Sequence, residues 1–431
     1  MILIKNSTII TQDKDRLIIP KGVVLIDKDK IKFVGDKLPR EYFNKIRKEI
    51  DGRGKVVMPG LINTHGHLAM TLLRGYADDL SLEKWWMDYV YPVESKFGRE
   101  EVYWGSLLAM AEMIKSGTTC FADFYYYEDE VGKAAKKIGM RGNLGCGILD
   151  VPTFYFKDND NAFKKSKIII DSFEKDDLLD VSLAPHMFQT TSLETYQQSK
   201  KIAQESNLLL QTHVAETKQE VSFCLDKYDK RPIELLYDRG VLDNKTVLAH
   251  CCWLSKKEIK LIAKNKSSVV HCPVSNMKLA SGVMPLQDLL RAGVNVSLGT
   301  DGACSNNNLD MFEEMKFVAL LHKINKLDAT VANAQMVLDM ATINGAKVLD
   351  LENKIGSLEI NKKADIIILD FNQLHLTPWH NVISHLIYSS NGGDVSTVII
   401  NGRVVMEDRK IKQIGEQSIL SKINKLTVNY K

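Results

Sequence analysis

Eight short apolar runs rich in β-branched residues recur between residues 59 and 301 of the 431-residue chain, each separated from the next by a longer stretch of helical periodicity. They are PGLINTH (59–65), TTCFADF (118–124), RGNLGCGIL (141–149), VSLAPH (181–186), LLLQTHV (208–214), TVLAHC (246–251), SSVVHCP (267–273) and NVSLGTD (295–301). Strands that are apolar throughout must be covered on both faces, which parallel strands with crossover helices achieve. Eight such βα units predict a (β/α)8 TIM-like barrel over residues 58–355.

The two flanks are patterned differently. Residues 1–57 (LIKNSTIITQDKDRLIIPKGVVLIDKDKIKFVG) and 356–431 (GSLEINKKADIIILD, STVIINGRVVMEDRK) alternate apolar and polar residues between turn signals, as half-buried antiparallel strands do. Both chain ends are therefore expected to pair into one composite small β-sandwich domain.

Composition narrows the function classes. The 57 basic and 54 acidic residues nearly cancel, so no strong field recruits nucleic acid or a membrane surface, and the lysines of 133–137 and 256–266 read as solvated helix faces. The apolar start MILIKNSTII is too short for a signal segment, and no run reaches the length of a membrane span. The seven cysteines (120, 146, 224, 251, 252, 272 and 304) are odd in number and lack CxxC spacing. They read as buried thiols in a reducing compartment, which places the chain in the cytoplasm.

Metal-competent residues collect where the apolar runs end. His65 and His67 close the first run, His186 the fourth, His213 the fifth, His250 the sixth and Asp301 the eighth. Residues two apart on a strand share a face, so His65 and His67 present paired imidazoles. In a barrel these ends form the functional face. Three imidazoles, a carboxylate and an open position make a hydrolytic metal centre, because the cation brings the pKa of water toward neutrality. No lysine follows the fourth run, APHM, so one metal is expected rather than a lysine-bridged pair. Glu216, three residues past His213, reads either as a proton shuttle beside the metal or as an acid favoured by a helix N-terminus.

The segments MPGLINTHGHLAMTLLRGYADDLSLEKWW, YPVESKF, SGTTCFAD, QTHVAET, HCPVSNMKLASG and GTDGACSNNNLDMFEEM, with the closing GSLEINKKADIIILD, resemble the amidohydrolase superfamily. Within it they are most similar to the 5′-methylthioadenosine/S-adenosylhomocysteine deaminases. The resemblance implies that His65, His67, His213 and Asp301 hold one divalent metal, zinc first, with iron, manganese or nickel serving other members. It implies that Asp301 also takes a proton from water, that Glu216 protonates purine N1, and that His250 orients the attacking hydroxide. It further implies that Glu94 binds the ribose hydroxyls and His186 the nucleoside, and that the chain is a homo-oligomer, dimer or tetramer. The expected partner is a small nucleoside, not nucleic acid or membrane.

One departure stands out. Cys146 occupies a position where members of the family carry an arginine, which could pair with the carboxylate of a homocysteine group. This puts S-adenosylhomocysteine in doubt and leaves methylthioadenosine, adenosine and 5′-deoxyadenosine open, with Arg141 or Arg74 as candidate replacements. Trp85 and Trp86 could wall the substrate or pack a lid, and His271 could pack against the site or act in it. Two other readings stay open: hydrolysis of another heterocycle on the same metal centre, and a barrel that has become a non-catalytic scaffold.

Overall fold

The computed structural model describes residues 1–430. All eight apolar runs are strands: β1 (Leu61–Gly66), β2 (Thr118–Asp123), β3 (Arg141–Ile148), β4 (Leu179–Pro185), β5 (Leu209–Val214), β6 (Thr246–His250), β7 (Ser268–His271) and β8 (Val296–Leu298). Each pairs in parallel with the next in the chain. The ring closes where a parallel bridge joins Gly66 to Asp301 and the Asp301 amide donates to the His65 carbonyl at 3.0 Å. The seam of the barrel thus runs through two of the residues expected to bind metal.

Helices cover the outside of this ring, each with its own start and stop chemistry. Helix Glu128–Ile138 buries Val131, Ala134, Ala135 and Ile138 and exposes Lys133, Lys136 and Lys137, then ends on Gly139 at φ 81°, a left-handed turn that glycine adopts cheaply. Helix Lys256–Asn265 opens with a reciprocal cap between Ser255 and Glu258. Both lysine-rich stretches are therefore solvated helix faces, and no helix among the described residues is long and apolar enough to cross a membrane.

The two chain ends meet in one mixed sheet of nine strands among the described residues. Its joint is the antiparallel pairing of Lys55–Pro59 with Ile366–Asp370, in which Ile366 faces Pro59 and Asp370 faces Lys55. Only Gly60 separates that joint from β1. At the barrel floor Arg141 Nε donates to Asp365 Oδ2 at 2.6 Å in a fully enclosed ion pair, tying β3 to the end sheet. The opposite, C-terminal face of the barrel is left free to carry chemistry.

Candidate active site

His65, His67 and His213 lie at that face with ligand nitrogens all within 4.8 Å of one another. Their orientation follows from hydrogen bonds to carbonyls, which can only accept. His67 Nδ1 donates to Phe124 O at 2.7 Å, and His213 Nδ1 donates to His186 O at 3.1 Å. A neutral imidazole has one hydrogen, so both Nε2 atoms, 3.4 Å apart, present lone pairs to each other. His65 Nε2 is buried and has no hydrogen-bond partner among the described residues. Ring nitrogens converging in a buried site are what a cation would satisfy, and Asp301 adds the negative charge: its Oδ1 is 3.1 Å from His67 Nε2 and 3.7 Å from His65 Nε2. The donor set of three nitrogens and one oxygen therefore fits a divalent metal.

Asp301, His250 and Ala215 each sit in left-handed backbone, at φ 63°, 70° and 51°. That conformation is unfavourable for side-chain-bearing residues and concentrates at functional turns. At Ala215 the turn swings the chain so that the next residue, Glu216, points back at the site. Glu216 is buried, receives a 2.9 Å hydrogen bond from the Ser281 hydroxyl on Oε1, and sets Oε2 3.8 Å from His250 Nε2. Asn276 Nδ2 donates to His250 Nδ1 at 3.1 Å, which leaves Nε2 to carry a ring hydrogen toward the site. Asp301 Oδ2 accepts from Ser275 Oγ at 2.6 Å and Ser305 Oγ at 3.2 Å.

Glu94 lies at the same face, 1% exposed, on the short helix Tyr91–Glu94. The Tyr125 hydroxyl donates to its Oε1 at 2.6 Å, Oε2 has no partner among the described residues, and burial pushes the carboxyl up to about 7. His186 bonds Thr190 Oγ1 through Nδ1 at 2.8 Å, and burial lowers it to about 3. Trp85 and Trp86 open a π-helical turn, Trp85–Val90, a geometry that recurs at functional sites. Trp85 is buried in the core, whereas the Trp86 ring lies 6.4 Å from His186.

Five contributors escaped the sequence reading: Phe124, stacked 4.5 Å from His213, with Tyr125, Ser275, Asn276 and Ser281. The last three belong to the motif HCPVSNMKLASG, so a signal existed without an assignment. Cys146 also needs its surroundings. Asn143 bonds Gln211, and a side chain at Gly145 would meet Gln211, so these positions of β3 face the barrel interior. Cys146 alternates with them and turns its buried thiol outward to Ser166 of helix Asn159–Phe173. Neither candidate replacement arginine is available. Arg141 is held by Asp365 at the floor, and Arg74 is paired with Glu112 and bonded to Asn307 O.

The chain matches the amidohydrolase family over residues 56–405. It is 41% identical over 430 residues, 99% of both chains, to a 5-methylthioadenosine/S-adenosylhomocysteine deaminase of Thermoanaerobacter pseudethanolicus. It is 42% identical over 426 residues, 98% of this chain and 97% of the other, to a 5′-deoxyadenosine deaminase of Methanosarcina mazei. Among solved structures, an adenosine deaminase from Xanthomonas campestris with bound zinc superposes at a TM-score of 0.96 and 33% identity, over 100% of this chain and 98% of that one. Similarity of this extent has one meaning: the chain belongs to the amidohydrolase family.

Proposed function

We propose that this chain is a metal-dependent aminohydrolase that replaces the 6-amino group of an adenosine-type nucleoside with oxygen, releasing ammonia and the inosyl product. The observation that carries the reading is the convergence of the His65, His67 and His213 nitrogens and Asp301 beside the Glu216–His250 pair. Relatives named as deaminases of such nucleosides support it.

A divalent cation, zinc first, held by His65, His67, His213 and Asp301 would supply the Lewis acid that lets water ionise near neutral pH. The remaining work falls to side chains of this protein. Glu216 gives a proton to ring N1, drawing electrons from C6 and opening it to attack. Asp301 takes the proton that the attacking water loses and passes it to the 6-amino group, which leaves as ammonia, while the proton on the new C6 hydroxyl returns to Glu216 as the C6 carbonyl forms. His250 Nε2–H faces the oxygen arriving at C6 and steadies the charge that develops there. Glu94 accepts from the ribose hydroxyls through Oε2, which has no partner among the described residues, and His186 lines the nucleoside.

The 5′ group follows from the charges at hand. Arg74 and Arg141 are both engaged, so small uncharged 5′ groups are expected to rank above the zwitterionic homocysteine group. The same reading treats residues 1–57 with 356–431 as one composite unit and 58–355 as the barrel. It places the protein in the cytoplasm, which its seven buried, unbridged cysteines support.

The test is the ultraviolet shift from adenine to hypoxanthine with zinc-loaded protein. Methylthioadenosine, S-adenosylhomocysteine, adenosine and 5′-deoxyadenosine are run in parallel. Turnover of any of them sustains the reading, and silence across the panel with metal bound ends it.

A further inference from the structure

One short segment touches all three side chains assigned to proton handling. Ser275 donates to Asp301 Oδ2 at 2.6 Å, Asn276 donates to His250 Nδ1 at 3.1 Å, and Ser281 donates to Glu216 Oε1 at 2.9 Å. Each contact chooses an atom: it occupies one side of the group and leaves the other side toward the site. Asn276 sends the His250 hydrogen to Nε2. Ser281 occupies Oε1 of Glu216 as an acceptor, which leaves Oε2, the oxygen nearer His250, to carry a proton.

The backbone around Ser281 is anchored so that its hydroxyl has a fixed aim. Its amide donates to Asn276 O at 2.9 Å, and the Trp253 indole N–H donates to its carbonyl at 2.6 Å. Gly282 follows at φ 147°, where a side chain would come within 2.7 Å of Trp253 Nε1, so only glycine lets the indole close over the turn. Ser281 itself is 5% exposed, and a carboxylate oxygen left without it would be buried with no donor. Glu216 is held from its other end as well, its amide donating to Glu220 Oε2 at 2.9 Å.

We propose that Ser281 is a positioning residue for the deamination, the operative member of a clamp formed by residues 275–281 that decides which oxygen of Glu216 delivers the proton. In the step concerned, the Oε2–H bond breaks as the N1–H bond forms, and the O–H electron pair stays on the carboxylate while Ser281 holds Oε1. The proposal rests on the functional reading given above. Without the hydroxyl, the carboxyl can rotate and protonate on either oxygen, so fewer encounters are productive although the nucleoside still binds.

The experiment compares Ser281→Ala, Ser281→Thr and Ser281→Val with wild type, each loaded with zinc and checked for metal content and thermal unfolding. Ser281→Ala is expected to lower kcat by about 10- to 100-fold, the worth of a hydrogen bond to a charged group, with KM within about twofold. Its solvent deuterium isotope effect on kcat is expected to rise, because proton delivery becomes slower. Threonine keeps the hydroxyl and is expected to restore most of kcat, while valine, the same shape without it, is not. The threonine and valine pair decides the matter even if alanine at this position does not fold. Equal kcat for threonine and valine, or wild-type kcat for alanine, overturns the proposal. Absence of nucleoside turnover by the wild-type enzyme would instead overturn the functional reading, which keeps the two failures apart.

Discussion

His213 and His67 bring their Nε2 atoms to 3.4 Å at the mouth of the barrel, and His271 and His322 bring theirs to 3.0 Å between β7 and helix Met311–Lys326. Both pairs are enclosed, yet they are different objects. At the mouth, carbonyls take both Nδ1 hydrogens, so neither Nε2 has one to share, and Asp301 stands beside them. In the second pair both Nδ1 atoms lack partners among the described residues, so one Nε2–H can donate to the other ring. No carboxylate is bonded to either ring there among the described residues. Burial holds His271 well below the ordinary range and brings His322 down to about 4, so both stay neutral. Close imidazoles therefore do not make a metal site. What makes one is the direction of their hydrogens and the presence of a compensating negative charge.

The contrast can be broken by four measurements. The largest effect is expected for His213→Ala, which removes one converging lone pair and should lose bound metal together with turnover. Elemental analysis after dialysis checks this, and a variant that keeps one metal per chain as tightly as wild type would falsify the ligand assignment. Next, Glu216→Gln is expected to keep its metal but turn over about 10²- to 10⁴-fold more slowly, as loss of a proton-transfer group implies. Near-normal turnover with metal bound would remove Glu216 from the reaction.

Glu94→Gln comes third, with KM for the nucleoside raised by about 10-fold or more, the worth of hydrogen bonds to a charged acceptor. The wild-type carboxyl, pushed up to about 7 by burial, adds a pH signature. Ribose hydroxyls need the ionised form as acceptor, so KM should rise as pH falls below about 7 and flatten in Glu94→Gln. Stability runs the opposite way. The folded-state value lies above the unfolded one, so ionising Glu94 costs stability that is intact at acidic pH and fully lost above about pH 7. A KM that does not change between pH 6 and 8 would count against the assigned contact. The smallest effect belongs to the other imidazole pair. His322→Val should leave metal content and kcat unchanged and lower unfolding stability by about 1–3 kcal/mol, the cost of orphaning the His271 nitrogen. Urea denaturation reads it out, and loss of metal in this variant would mean the two pairs are not independent.

The barrel was legible because its signal is local. Each buried strand is a block of apolar, β-branched residues that no surface helix could carry, and all eight blocks became strands. The metal-competent residues were legible for a related reason, since they punctuate the ends of those blocks. Ser275, Asn276 and Ser281 were not, although they stand in a quoted motif. A serine or asparagine in a turn is usually satisfied by its own backbone, and only the approach of the β5, β6 and β8 ends gives these three their partners. Phe124 and Tyr125 were hidden in the same way. One acts through a carbonyl and a stacked ring, the other through a phenol that reaches Glu94.

Cys146 marks the limit most clearly. Its identity is plain in the sequence, and so is the absent arginine. Which face of β3 the residue occupies is not, and the partners of Asn143 and Gly145 settle that. By itself the sequence determined the elements, their order and the kinds of ligand at their ends, because periodicity and residue chemistry act within a few residues. The tertiary structure alone decided which atom of each ligand faces the site, because hydrogen direction is set by carbonyls, amides and hydroxyls arriving from segments tens of residues away.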